Sequence, residues 1–481
     1  MPPQPSPDSE LVPRELVRIL KETPELEQAF VVGGCVRDWL LGCPIKDCDI
    51  EVFGLDYNRL STALSRWGKT DLVGRSFGVV KLTLPNGPTF DFTIPRRDSK
   101  VAPGHKGFEI DFDSSIPPEE AAARRDFTIN SLMFNPRSKQ LLDFFGGESD
   151  LRSGILRHTG PAFVEDPLRV LRGMQFAARF NLSADPKTLA LCRSIKASFS
   201  ELPSERVRDE WFKWAAKSTV PSAGLRFLVE TEWIDHFPEL KALRGTLQDP
   251  GWHPEGDVFV HTAHCCDALV NLAEWQQADE ETRIVLSFAI LTHDFGKPES
   301  THQAVQDGEM RIISPGHEEA GVPLAESFLA RFRAPNAIIE RVLPLVRAHM
   351  SHLQEVTDRS VRRLSKRLEP ENINHLCVVM TADAFGRPPR PQKVPRVVQA
   401  LQAKAAELKV ESDAPKPILQ GRDLVKLGMK PGPQMGALLK KGYDAQLEGK
   451  FFTLPEAMEW LANEVSNEAP ELAAAARSAH P

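Results

Sequence analysis

Val31-Val32-Gly33-Gly34-Cys35-Val36-Arg37-Asp38 runs through Trp39-Leu40-Leu41-Gly42 to Lys46-Asp47-Cys48-Asp49-Ile50-Glu51-Val52, and the fold turns on this stretch. Asp47 and Asp49 stand two residues apart, so on a strand their carboxylates point to the same face. Hard oxygen ligands on one face can hold Mg²⁺ beside substrate phosphates. Upstream, Gly33 and Gly34 let the backbone approach a ligand closely. Their amides, a helix N-terminus and Arg37 make a triphosphate cradle. A phosphate grip beside a metal site is what nucleotidyl transfer requires. A bare Asp-x-Asp is more often two solvated aspartates beside a turn. The glycine pair and arginine at this spacing reverse that weighting.

Outward from this stretch the chain changes character. Short β-rich pieces (AFVVGG, CDIEVFG, GVVKLTL, TFDFTI) and one helical stretch, Asn58 to Trp67, occupy roughly Ala29 to Phe145. From about Asp166 the pattern is helical nearly throughout, as in PLRVLRGMQFAARF and AIIERVLPLVRAHM. Proline clusters near Pro388 to Pro395 and Asp413 to Pro417 mark linkers or sharp corners. The expected fold class is α+β: a head with a small mixed β-sheet followed by an all-α neck, body and tail. The boundaries expected are 1–25 for an N-terminal extension, 26–160 for the head, 161–240 for the neck, 241–390 for the body and 391–481 for the tail.

The composition sets limits. The chain has 481 residues, 41% hydrophobic and 26% charged, enough apolar mass for several cores. No run approaches the ~18 apolar residues of a membrane span. The opening MPPQPSPDSE lacks the basic start and apolar core of a secretory signal and is expected to be disordered. Seven cysteines without a CxxC pair point to reduced thiols in a cytoplasmic protein. Net charge is -7, which argues against nonspecific polyanion binding by the whole molecule. Two stretches run the other way. Arg359 to Arg367 carries five basic residues and no acid, and Arg387 to Lys409 carries six against Glu407 alone. Each can contact an RNA backbone, and each is equally well read as a solvated helix face.

Three more motifs follow the first. In Arg124-Arg125-Asp126-Phe127-Thr128-Ile129-Asn130, the arginines can neutralise phosphate or stack on a base, while Asp126 and Asn130 can address ribose hydroxyls or position the arginines. Alone, the run is equally a helix start with surface ion pairs. Leu141-Leu142-Asp143-Phe144-Phe145-Gly146-Gly147 reads as the last strand and turn of the head. In Glu165-Asp166-Pro167-Leu168-Arg169-Val170-Leu171-Arg172, the spacing by three puts Asp166, Arg169 and Arg172 on one helical face. An aspartate and an arginine there supply acceptor and donor groups for a base edge. By itself, an intrahelical ion pair worth under about 1 kcal/mol explains that run as well.

Taken together and in this order, the motifs resemble those of the class II tRNA nucleotidyltransferase (CCA-adding enzyme) and bacterial poly(A) polymerase family. The resemblance covers roughly residues 29 to 180. It implies Mg²⁺-dependent addition of CMP, CMP and AMP to the 3′ end of tRNA from CTP and ATP, with bases selected by protein side chains. It implies that Asp47 and Asp49 hold the metal, Gly33, Gly34 and Arg37 the triphosphate, and Arg125 the nucleotide, with Asp126 and Asn130 beside it. Asp166 and Arg169 are implied to pair with the incoming C or A, with Arg172 nearby. Asp91 is a further acidic neighbour of lower weight. The stretch Val73 to Val80 holds one arginine, unlike the arginine-dense stretch of the poly(A) polymerases, which favours a tRNA enzyme. The segment Pro95 to Glu119 is expected to be a mobile loop, of the kind the family links to the switch from C to A addition. It favours a CCA- or A-adding enzyme over a CC-adding one.

The helical body carries a second constellation. His261 opens one helix, His293-Asp294 closes the apolar run from Ile284, His317 begins another helix, His349 ends the one from Ile338, and Asp383 lies in Val379 to Asp383. This resembles the HD phosphohydrolase superfamily, with its His, His-Asp and later Asp. The resemblance implies that His261, His293, Asp294 and Asp383 bind a transition metal such as Ni²⁺, Mn²⁺ or Co²⁺, joined by His317 and His349 if the centre is binuclear. His264 and His352 are read as non-ligands. In the tail, Lys426, Lys430, Lys440 and Lys441 are implied to reach the tRNA. The alternatives are an A-adding or CC-adding enzyme, a poly(A) polymerase, and, in another class, an HD phosphohydrolase or RNA-binding scaffold with an inactive head.

Overall fold

The structure is a computed structural model and describes residues 12–45, 48–74, 78–85, 87–100, 108–306, 308–353 and 355–479. Asp47, the proline-rich leader and the arginine of Val73 to Val80 lie outside the described residues. The chain divides into two compact units, Met1–Phe237 and Pro238–Pro481.

The first unit is built on a seven-stranded sheet. Its strands are β1 (Ala29–Val32), β2 (Asp49–Val52), β3 (Lys69–Gly74), β4 (Val79–Thr83), β5 (Thr89–Thr93), β8 (Met133–Asn135) and β9 (Gln140–Leu142), in the order β3-β4-β5-β2-β1-β8-β9. Only the β2–β5 pair is parallel, so the sheet is mixed, as the residue pattern predicts. Strand β1 is apolar throughout because both its faces are covered: Ala29 and Val31 join one core cluster, Phe30 and Val32 the other. Strands β2 and β5 alternate instead. Ile50, Val52, Phe90 and Phe92 are buried in the first cluster, which leaves Asp49, Glu51 and Asp91 on the opposite face. The helical stretch after β2 spans Tyr57–Ser65, started by the Asp56 carboxylate accepting from the amides of Asn58 and Arg59.

The segment expected to be a mobile loop contains paired strands. β6 (Arg96–Lys100) and β7 (Phe108–Phe112) form an antiparallel ribbon apart from the main sheet, and residues 101–107 lie outside the described residues. Beyond β9 the unit is helical, with helices Leu168–Phe180, Ser204–Lys217 and Pro221–Glu230 packed together around Leu171, Met174, Trp214 and Phe227.

Among its described residues, the second unit is helical apart from one hairpin. Helices Val258–Val270, Glu280–Thr292, Asn336–Ala348 and Ile373–Phe385 pack together, with the Phe288, Phe328 and Phe332 rings in the core. The exception is His302–Gln306 paired with Glu309–Ile313. An Asp-Gly step separates the two strands in the sequence, and Gly308 takes a positive φ of 82°. Later helices close a separate cluster around Leu424, Phe451 and Leu461. The basic stretch Arg359 to Arg367 lies on helix Asp358–Leu368, and much of its charge is spent within the protein. Arg359 Nε lies 2.6 Å from Glu448, Arg363 also pairs with Glu448, and Arg362 is buried with its Nε donating to the Leu447 carbonyl. No helix among the described residues is long and apolar enough to cross a membrane.

Candidate active site and metal centre

The face of the sheet that carries Asp49 and Glu51 opens into a cavity of about 570 Å³ in the first unit. Asp49 and Glu51 form its acidic edge. Asp49 lies in register with Asp91 on β5, and both occupy the same face, so three carboxylates of neighbouring strands share it. Asp91 is also within 3.7 Å of Lys81 on β4. Asp47, the partner expected of Asp49, lies outside the described residues.

Gly33 and Gly34 line the cavity at the end of β1. Gly33 adopts φ 77°, and a Cβ there would sit 2.7 Å from Arg125 Nη1. Two physical demands therefore converge on glycine: a left-handed backbone and the close passage of a guanidinium. Arg125 reaches this point while donating from Nη2 to Glu51 at 3.1 Å. Arg37 is buried. It donates to Asp38 from Nε at 2.8 Å and to Asn130 Oδ1 from Nη1 at 2.5 Å, and its guanidinium lies over the Phe176 and Phe180 rings. Burial pulls its pKa down against the raising effect of Asp38. Its contacts make Arg37 a structural bracket as well as a wall of the cavity.

Asp126 also lines the cavity. Its carboxylate accepts from Arg172 Nε at 2.6 Å, from Asn130 Nδ2 at 2.9 Å and from the Phe127 amide at 2.8 Å. Burial alone would raise this carboxyl. Arg172, with the Asn130 and Phe127 donors, outweighs that and holds it below the usual carboxylate range.

Asp166 does not stand on the helix with Arg169. It ends a 3-10 turn, in extended backbone (φ -119°, ψ 101°), and the helix begins at Leu168. Pro167 imposes this, because the residue before a proline avoids the α region. The Asp166 partner is Arg206, from helix Ser204–Lys217, at 3.0 Å. Arg169 donates to the carbonyls of Ala162 and Arg124, each at 2.8 Å. Asp166, Arg169 and Arg172 still line the same cavity.

In the second unit, four histidines and two aspartates converge. His261 Nε2 is 3.1 Å from Asp383 Oδ1 and 3.7 Å from Asp294 Oδ2. His293 Nε2 is 3.1 Å from Asp294 Oδ2, and His317 Nε2 is 3.3 Å from Asp294 Oδ1. His317 and His349 face each other, Nε2 to Nε2, at 3.1 Å. The Nδ1 atoms of His293, His317 and His349 sit against the carbonyls of Ile290, Ser314 and Val346 at 2.6–2.7 Å. A carbonyl can only accept, so each Nδ1 carries a proton, and in the neutral ring each Nε2 turns a lone pair inward. His293 Nε2 is buried with no hydrogen bond to satisfy it. Buried lone pairs aimed at a carboxylate are what a cation requires, so these residues fit a metal. Burial would raise Asp294, but His293 and Lys297 hold its pKa well below the usual range. Burial likewise would raise Asp383, and Arg387 and His261 hold it down.

The sequence comparisons agree with both halves. Residues 29–157 match the family model of the poly A polymerase head domain, and residues 261–387 match that of the HD domain. A multifunctional CCA protein of Xanthomonas oryzae pv. oryzae is 34% identical over 424 residues, 86% of this chain and 96% of the relative. The chain belongs to the multifunctional CCA protein family. Another member, from Nitrosococcus oceani, is 34% identical over 75% of this chain and 85% of its own length. Among solved structures, the Bacillus stearothermophilus CCA-adding enzyme in complex with CTP is similar in fold, with TM-score 0.63 and 21% identity over 95% of this chain and 98% of that one. The Thermotoga maritima CCA-adding enzyme complexed with tRNA matches with TM-score 0.58 and 18% identity, over 95% and 97%.

Several residues of this CCA-family site were given no role by the sequence. Glu51, Gln175, Phe176, Arg179, Arg206, Lys213 and Lys217 all line the cavity. Arg206, Lys213 and Lys217 recur at intervals of seven and four, one face of a helix, which was the available signal. In the second unit, Glu255 went unread. Its side chain is wholly buried, with Oε1 2.7 Å from His261 Nδ1 and 2.8 Å from His253 Nδ1. Burial would raise Glu255, and the two imidazoles hold it down to about 2. Cys265 lies 3.3 Å from His261 Nε2. His264 belongs to none of the clusters among the described residues that could hold a metal.

Proposed function

We propose that this chain adds CMP, CMP and AMP to the 3′ end of tRNA, using CTP and ATP. The observation that carries the reading is the cavity itself. One edge is the acidic face of the sheet, and the walls hold seven arginines and two lysines among the described residues. Such an excess of cations suits a triphosphate. The carboxylate edge suits Mg²⁺, with Asp49 as one ligand and Asp47, two residues earlier, as the other. Mg²⁺ held there would activate the tRNA 3′ hydroxyl and steady the departing pyrophosphate.

The protein's own groups supply grip and choice. Gly33 and Gly34 bring backbone to the phosphates, and Arg125, tethered by Glu51, faces them. Asp126 and Asn130 hold Arg172 and Arg37 in place. C and A share an exocyclic amino group beside a ring nitrogen that accepts. The Asp166 carboxylate accepts from that amino group and Arg169 donates to the ring nitrogen. U and G offer a carbonyl and an N–H there and are rejected. Arg206 orients Asp166 for this task. The decisive experiment supplies tRNA lacking CCA with CTP and ATP, separately and together. CTP alone should add two residues, and both together should complete CCA. AMP addition only to tRNA already ending in CC would instead make this an A-adding enzyme.

A second activity is proposed for the HD centre: metal-dependent hydrolysis of small phosphoesters, such as a 2′,3′-cyclic phosphate, by a centre of His261, His293, Asp294 and Asp383. The convergence of His317 and His349 on Asp294 favours a binuclear arrangement. A transition ion such as Ni²⁺, Mn²⁺ or Co²⁺ would supply Lewis acidity toward the ester there.

A further inference from the structure

We propose that Cys265 is a thiolate ligand of the HD centre, making it a mixed nitrogen, oxygen and sulfur site suited to Co²⁺ or Zn²⁺. The inference rests on the reading that this centre holds a metal, and adds a donor that the His, His-Asp, Asp pattern lacks. Cys265 follows His261 by four residues on helix Val258–Val270, so both side chains share one face. Both are fully buried. Single ligand atoms from His261, Cys265, His293 and Asp383 all lie within 4.8 Å of one another.

The spacings suit a shared ion. Sulfur and nitrogen bound at about 2.3 and 2.1 Å stand about 3.1–3.6 Å apart for angles from square to tetrahedral. Cys265 Sγ is 3.3 Å from His261 Nε2. Nitrogen and oxygen, both bound at about 2.1 Å, stand about 3.0–3.4 Å apart over the same angles, and His261 Nε2 is 3.1 Å from Asp383 Oδ1. The independent sign of a ligand is His293 Nε2, which is buried, aimed into the same cluster and, in the neutral ring, faces the Asp294 carboxylate at 3.1 Å with no hydrogen-bond donor to satisfy it.

The surroundings hold the sulfur in place and balance its charge. Gly386 packs directly on it, and a Cβ there would lie 2.2 Å from Sγ. Lys297 is 2.7 Å from Asp294, and Arg387 is 2.7 Å from Asp383, so both carboxylates already face a cation. A divalent ion would add two charges to this buried site. When the thiol binds as thiolate and releases its proton to solvent, only one is added, which reduces the cost of burial.

The test loads the metal-free full-length chain with Co²⁺. Metal content is read alongside near-ultraviolet absorbance, where a thiolate–cobalt bond gives a charge-transfer band. The band is expected in the wild type and lost in both C265S and C265A, with Co²⁺ binding at least ~10-fold weaker. Should both variants fail to fold, X-ray absorption on the wild type reads the same bond as one sulfur near 2.3 Å. Stoichiometric Co²⁺ with no such band and no sulfur neighbour would overturn the thiolate and leave the HD metal centre standing. A band unchanged in a folded C265S also overturns it. A wild type that binds no Co²⁺ overturns the metal reading itself, and this proposal with it.

Discussion

Asp49 faces the cavity because Ile50 and Val52 face the core: alternation along β2 leaves the carboxylates on the open face. Removing a required metal ligand there acts on chemistry more than on fold. Asp49→Ala should lower nucleotide incorporation by more than about a hundredfold, about 2.7 kcal/mol in the barrier, while tRNA binding persists. Single-turnover incorporation with labelled CTP, next to a tRNA binding curve, checks this, and incorporation within tenfold of wild type would remove Asp49 from the metal site. Nucleotide choice is a separate residue-scale matter. Asp166→Ala should cut the preference for CTP over UTP by at least tenfold, about 1.4 kcal/mol. Arg206→Ala should give a smaller loss in the same direction, because it removes one partner of the Asp166 carboxylate while the Leu168 amide still holds it. Unchanged selectivity in both variants would reject the pairing scheme. Asp126 carries a pH signature. Its pKa is depressed in the folded state, so its contribution is fully present above about pH 4, the unfolded value, and is lost as pH falls through the folded value. Arg172 is 35% exposed and solvent screens its share. Asp126→Asn should therefore cost about 1–2 kcal/mol at pH 7. That gap should stay level to about pH 5 and shrink below pH 4. Urea midpoints at pH 7, 5 and 3.5 measure it, and a gap that widens in acid contradicts the assignment.

Among elements, the turn from β1 into the Gly34–Leu40 helix is the tightest constraint. Gly33→Ala places a side chain at φ 77° and drives its Cβ against Arg125. A cost of about 1–3 kcal/mol is expected, with a raised KM for CTP because Arg125 is displaced from the cavity. Thermal melting and initial rates test it together. A variant with wild-type melting and KM would mean that the turn gives way freely. Helix Ser204–Lys217 shows the opposite relation between element and site. It carries no motif, yet it supplies Arg206, Lys213 and Lys217 to the cavity from one face.

The two candidate centres belong to different compact units, the head site within Met1–Phe237 and the HD site within Pro238–Pro481. Their chemistry should be separable. His293→Ala combined with Asp294→Ala should abolish metal uptake by the second unit and hydrolysis of a cyclic phosphate, while CMP and AMP addition stays within about threefold of wild type. Metal content, cyclic-phosphate hydrolysis across Mg²⁺, Mn²⁺, Ni²⁺ and Co²⁺, and CCA addition are measured on one preparation. Equal loss of both activities would assign the pair a structural role instead.

Local signals carried the fold class and the outline of both sites. Alternation in CDIEV and TFDFT placed the strands, the glycine pair marked a turn that only glycine allows, and His293-Asp294 at the end of an apolar run marked the buried centre. Each of these is a short-range pattern, set by the pleat, the helical repeat or backbone sterics. What partners those residues take is a long-range matter. Spacing by three put Asp166 and Arg169 on one helix face, yet Pro167 ends the extended turn before the helix, and Asp166 pairs with Arg206, 40 residues away. Pro95 to Glu119, rich in turn formers, still contains the β6–β7 ribbon, because pairing between strands overrode local preference. Arg359 to Arg367 read equally as an RNA contact or a solvated helix face, and Glu448, from a distant segment, takes two of its charges. Glu255 entered the HD centre only when packing folded it against His261 from a loop, whereas the four-residue spacing of His261 and Cys265 on one helix was a local signal. A residue's own neighbours in sequence determine which way its side chain points. Only tertiary packing determines what stands at the other end.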